Sequence, residues 1–309
     1  MSGGVPGRSV DPMFTKIVVG VDGAEGGRDA LSLARVLAQA DAEIVLVSAF
    51  PYESNPSRGS VEGYEQILRE ATMERLREAA GDDPRCRLRA VPDLSPGHAI
   101  HHVAEQERAE LIVVGSCHRG AIGRVLVGDV SRATLHGATC PVAVAPKGFR
   151  EHPAPVRTIG VAYNGTPQAD AAVAFAATVA AATGASLRLV TVVPTPIAAA
   201  PGIGFAYDWS EVTKAGVEAA EQRLAEVVAT LDVPVTTHVA EGVTGADLEQ
   251  LSKDVDLMVA GSRGWGTARA VVLGSTTDRL VHHAATPIVV VPGPAAGDGQ
   301  VAADQTAHA

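Results

Sequence analysis

One pattern is written twice in this chain, and that repeat limits the possible folds more than any other feature. Gly115, Gly128, Pro141 and Pro146 have counterparts at Gly261, Gly274, Pro287 and Pro292, each 146 positions further on. Chance matches do not hold one offset through glycine and proline together. The runs around these markers agree. KIVVGVDG, from Lys16, reads as a buried strand ending in Asp-Gly, RDALSLARVLAQA as a helix and EIVLVSAF as a second strand. A long amphipathic helix is expected over 61–80, then RCRLRAV as a strand, HAIHHVAEQERA as a helix and LIVVGS as a strand. A glycine-containing loop, a helix near DVSRATLHGA and the strand CPVAVAP close the first half. TIGVAYNG, ADAAVAFAATVAAA, LRLVTVV, a helix over 211–230, VPVTTHV, DLEQLSKD, LMVAGS, STTDRLVHHA and PIVVVP repeat that order.

Strands separated by helices pair in parallel, so the reading is α/β, with two tandem five-stranded parallel-sheet domains at 14–148 and 156–293. The stretch 146–157 reads as a short ordered connector, and 1–13 and 294–309 carry no periodicity and are expected to lack regular structure. Hydrophobic residues make up 46% of the chain but aromatics only 4%. The cores must therefore be built from Val, Ala, Leu and Ile, as in parallel strands buried on both faces. A formal net charge of -10 without a dense Lys/Arg cluster argues against a nucleic-acid partner. Cys86, Cys117 and Cys140 form no close pair of the kind used by zinc or redox motifs, which suits a reducing compartment. Neither a leader-like apolar run nor a membrane-length stretch is visible, so a cytoplasmic location without membrane insertion is expected.

The chemistry concentrates after the fourth strand of the second half. There Gly261-Ser262-Arg263-Gly264 is followed by nine residues and then Gly274-Ser275. In an open α/β sheet, ligands bind beyond the carboxyl ends of the strands, where a glycine-rich loop can aim backbone N–H groups at phosphate. Ser275, Thr276 and Thr277 stand where a helix should begin, placed to cap it or to offer hydroxyls to an anion. No Gly-Lys-Ser/Thr is present, so this is not a Walker A loop, and it does not follow the first strand as a Rossmann loop would.

With its Val-Asp-Gly after strand one and its Cys/Thr-Pro-Val/Ile closing strands, the pattern resembles the nucleotide-binding class of universal stress proteins. The resemblance covers both halves. It implies an adenine nucleotide alpha hydrolase-like fold and ATP, with Mg2+, lying across the strand ends. The adenosine-side positions it implies are Asp22, with backbone near Gly20 and Ala49, in the first half, and Asn164, with backbone near Ala162 and Val192, in the second. On the phosphate side it implies Gly261, Arg263, Gly264, Gly274, Ser275 and Thr276, with Gly115 and Gly128 in the first half. It also implies a stress-response sensor or regulator whose two halves pair their last strands as an internal pseudo-dimer, with a homodimer of chains as a further level.

The first half departs from the pattern. His118 stands at the second glycine and Asp129 at the serine. A side chain obstructs close backbone approach, and a carboxylate repels phosphate, together weakening binding by roughly 10²-fold. The alternative is that Asp129 ligates Mg2+ brought in by the nucleotide. Asn164 is a milder departure, because an amide still offers a donor and an acceptor. The second half is therefore expected to hold the tighter site. Simpler roles stand beside these: turn glycines, Asp22 as a strand-end turn residue, and Arg263 in a surface ion pair. Adjacent helical residues diverge by about 100 degrees, so the pairs His101-His102 and His282-His283 are poor metal sites. A slow ATP hydrolase and a nucleotide-free scaffold remain the alternative functions. No general base beside the glycine loop supports catalysis.

Overall fold

The structure is a computed structural model that describes residues 14–52, 63–116, 124–194, 210–242, 244–263 and 271–294. The expectations for 1–13, for the tail beyond 294, and for Cys117, His118 and Gly264 lie outside the described residues. In the first half the order is β1 (Phe14–Gly20), α1 (Glu25–Leu37), β2 (Ala38–Phe50), α2 (Tyr64–Ala80), β3 (Cys86–Pro92), α3 (Pro96–Glu107), β4 (Leu111–Gly115), α4 (Asp129–Leu135) and β5 (Val142–Ala145). The second half runs β6 (Thr158–Ala162), α5 (Pro167–Thr183), β7 (Ser186–Pro194), α6 (Ser210–Val228), β8 (Val235–Gly242), α7 (Thr244–Leu251), β9 (Leu257–Gly261), α8 (Ser275–His283) and β10 (Ile288–Val291).

All ten strands form one sheet in the order β3-β2-β1-β4-β5-β10-β9-β6-β7-β8. Pairing is parallel within each half and antiparallel between β5 and β10. At this seam Val142 faces Val290, Ala143 faces Val289 and Val144 faces Ile288. Subtracting the 146-residue offset from 290, 289 and 288 gives 144, 143 and 142, so the register is self-complementary about the Ala143–Val289 pair. That is the signature of a twofold interface, formed here within one chain.

Side chains alternate across the strands, so each sheet face carries its own core. Ile17, Val19, Ile159 and Val161 belong to the face that packs residues of α1, α2, α5 and α6. Val18, Val142, Ile288 and Val290 belong to the other, with residues of α3, α4, α7 and α8. Both cores run across the seam, giving three layers, helix, sheet and helix.

Several boundaries shift by a few residues from the sequence reading, and at one of them a stretch read as helix is strand. The helix expected to reach Ala40 ends at Leu37, and Ala38 already pairs with Phe14 in β2. Ala and Gln favour helix intrinsically, but pairing with β1 overrides that preference. The connector is held by Asp29 of α1. This carboxylate is 1% exposed and accepts the Gly148 and Arg150 N–H groups at 2.8 and 3.0 Å.

Candidate functional site

Within each half the strand order reverses beside the first strand: β1 is flanked by β2 and β4, and β6 by β7 and β9. Such a switch point leaves a crevice beyond the carboxyl ends. Each half has a cavity there, of about 600 Å3 in the first and about 390 Å3 in the second. Both volumes suit a small-molecule ligand.

The second cavity brings together Ala162, Asn164, Val192, Gly261, Arg263, Gly274, Ser275 and Thr276. The first brings together Gly20, Asp22, Ala49, Gly115 and Gly128, with Asp129 beside them. Asp22 accepts the Ala24 N–H at 2.9 Å, and Asn164 accepts the Thr166 hydroxyl at 2.7 Å. Both therefore also serve as turn residues after their strands.

Packing separates the glycines. A Cβ on Gly115 would collide with the Gly26 carbonyl, and one on Gly261 with the Gln168 carbonyl. The first turn of α1 or α5 rests on these strand ends, so the fold itself demands glycine there. At Gly274 the nearest described atoms a Cβ would meet belong to the Arg263 side chain, at 3.6 Å, and φ is -80°. Among the described residues no packing requirement explains Gly274, which leaves room for backbone approach to a ligand.

The hydroxyls also divide. Gly274 itself takes the N-cap position of α8, with no side-chain cap, so the expected hydroxyl cap is not made. Thr277 Oγ1 donates to the Gly261 carbonyl at 3.0 Å, and its counterpart Ser131 donates to Gly115 at 2.7 Å. These two tie helix starts to strand ends. Ser262 likewise accepts the Gly293 N–H at 3.0 Å, and Ser116 donates to the Ala145 carbonyl at 2.7 Å. Ser275 and Thr276 line the cavity at the start of α8, where the helix dipole favours an anion.

Each limb leading into α4 or α8 is pinned by the opposite half. Val125 N–H donates to Ala284 at 2.9 Å, and Val271 N–H donates to Ala138 at 3.0 Å. Arg124 reaches Glu249 at 3.3 Å across the same boundary. The doubled histidines serve the helices: His101 Nε2 meets the Thr134 carbonyl and His282 Nδ1 the Asp278 carbonyl, both at 2.7 Å.

A family description, the universal stress protein family, matches residues 13–146 and again 155–292. The chain belongs to the universal stress protein family. A universal stress protein of Mycobacterium tuberculosis is 29% identical over 296 residues, covering 89% of this chain and 96% of its own length. Among solved structures, a universal stress protein from Archaeoglobus fulgidus aligns with a TM-score of 0.57 at 19% identity, covering 90% of this chain and 98% of that one. A putative universal stress protein from Pseudomonas aeruginosa gives 0.60 at 17%, covering 92% and 95%. At these identities the structural matches speak for the fold alone. They agree with the α/β architecture that the repeat implied.

Several residues of this universal stress protein's cavities carried no signal in the sequence. Arg75 comes from α2, and its stem lies 3.2 Å from where a Gly23 Cβ would be. Gln168 lines the second cavity where the first has Gly26. Tyr163, where the first half has Val21, donates to Asp170 at 3.0 Å; burial and that carboxylate push its phenol up to about 12. Among the described residues no helix is long and apolar enough to cross a membrane.

Proposed function

We propose that this protein binds an adenine nucleotide, ATP accompanied by Mg2+, in the second-half cavity. It acts as a nucleotide-dependent sensor or regulator in a stress response rather than as a metabolic enzyme. The observation that carries this reading is the convergence of Asn164 and Val192 with Arg263, Gly274, Ser275 and Thr276 on one cavity. Asn164 offers a donor and an acceptor to an adenine edge, and Arg263 supplies positive charge for phosphate. Gly274, uncrowded by its neighbours, lets phosphate oxygens approach the backbone at the start of α8.

The donor set fits a metal that arrives with the nucleotide. No carboxylate is among the described residues lining this cavity. Mg2+ would therefore be held by phosphate oxygens and water, with hydroxyls from Ser275 or Thr276. When bound, the ion neutralises phosphate charge.

Calorimetric titration of the full chain with ATP and Mg2+ checks this reading, alongside the Gly274→Asp, Ser275→Asp double variant. Binding near one nucleotide per chain in the wild type, lost in the variant, supports it. A wild type that takes up no nucleotide leaves a scaffold instead.

A further inference from the structure

The two cavities occupy equivalent places, but their described linings have opposite charge. In the second, Arg263 is the one charged residue among the described lining. In the first, the described lining holds two carboxylates, Asp22 and Asp129, against one guanidinium, Arg75. Arg75 packs beside Gly23, next to Asp22, and its terminal nitrogen donates to Thr72 at 2.9 Å. The cation therefore sits at the β1 end, while Asp129 stands at the start of α4, where the second cavity presents Ser275.

Shape and polarity differ in the same direction. Gly26 and Gly27 line the first cavity where Gln168 and Ala169 line the second, and the first is the larger by about 210 Å3, from 600 less 390. Its α3 wall presents Pro96 and Ile100, where α7 presents Thr244 and Leu248. A roomier, more apolar pocket with a carboxylate at the former phosphate end is built against polyphosphate. It retains the strand-end features that suit a nucleoside.

We infer that the first cavity is a second, distinct ligand site, selective for an adenine nucleoside with a neutral or positively charged 5′ substituent. Its adenosine half rests on the reading proposed above, while its charge selectivity rests on Asp129 alone. Asp129 would then be the residue that decides which ligand each half accepts.

The probes are 5′-amino-5′-deoxyadenosine, which carries an ammonium group, adenosine, and ATP with Mg2+. They are titrated into the full chain after the second site has been saturated with ATP and Mg2+, and into the Asp129→Asn variant under the same conditions. The amine should bind the wild type roughly three- to tenfold more tightly than adenosine, as expected for a solvent-accessible ion pair. ATP should show no second equivalent. Asp129→Asn should erase the preference for the amine, with an unchanged melting curve showing that the fold is intact. Equal binding of amine and adenosine by the wild type, or a second equivalent of ATP, overturns the inference. So does a wild type that fills its second site with ATP yet takes neither nucleoside. A chain that takes no ATP but prefers the amine supports the inference while overturning the nucleotide reading of the second half. A chain that binds none of the three overturns both.

Discussion

The two halves share a strand order, a glycine that the fold demands at Gly115 and Gly261, and a hydroxyl tie from Ser131 or Thr277 to that glycine. Among the described residues they part company at the cavity walls, where Asp129 replaces Ser275 and Gly26 replaces Gln168. What is alike holds the crevice open; on the proposal above, what is unlike decides what enters it. Residues that keep the crevice should therefore be costly to change in either half. Residues that differ should alter binding with little effect on stability.

The seam is the strictest case of likeness. Ala143 and Val289 are fully buried partners on the pseudo-twofold axis. An unpaired carboxylate there has no compensating cation, so Val289→Asp should cost about 4–5 kcal/mol. Ala143→Asp should cost nearly as much. Urea denaturation checks both, and a large disparity would break the symmetry argued here.

Next in size are the glycines. Gly261→Ala must push its Cβ into the Gln168 carbonyl, and Gly115→Ala into that of Gly26. Each should lose about 2–3 kcal/mol in thermal unfolding, since backbone has to shift. Gly274→Ala meets no such obstacle, so it should change stability by under about 0.5 kcal/mol while weakening ATP. Equal melting losses for Gly261 and Gly274 would erase the distinction between a glycine of the fold and a glycine of the site.

Asp29 sharpens the comparison from the other side, because α5 carries Ala171 at the equivalent place. Asp29→Ala leaves the Gly148 and Arg150 N–H groups without their acceptor and should cost about 2 kcal/mol. Hydrogen exchange at those two amides should rise with it.

The smallest expected effect is alkaline. Tyr163 ionises in the folded chain near 12, against about 10 for a free phenol. The folded state thus holds the proton more tightly than the unfolded one. Its stabilisation is complete below about pH 10 and is lost as pH rises toward 12, by up to about 2 kcal/mol. Tyr163→Phe should flatten that step, read as urea midpoints between pH 9 and 12. The first half contributes none of this step at the equivalent Val21.

Much of this was legible because parallel strands buried on both faces write themselves as apolar runs, and glycine and proline mark their ends. The loop positions from Gly261 to Thr276 could be read because they lie close together in the chain. Arg75 and Gln168 could not, since each enters its cavity from a helix far along the sequence from the glycine loop. The boundary between α1 and β2 was misplaced for a related reason: Ala38 is committed by Phe14, a strand partner that no local preference reveals. At Ser275 the local rule favoured a hydroxyl cap, yet Gly274 took the N-cap position. That leaves Ser275 at the cavity wall.

On the proposals above, one fold, repeated, carries two unlike sites. The most direct measurement is a crystal structure of the full chain grown with ATP and Mg2+. Nucleotide density is expected between Asn164 and Ser275, with no triphosphate against Asp129. ATP seated in the first half, or equally in both, would contradict it.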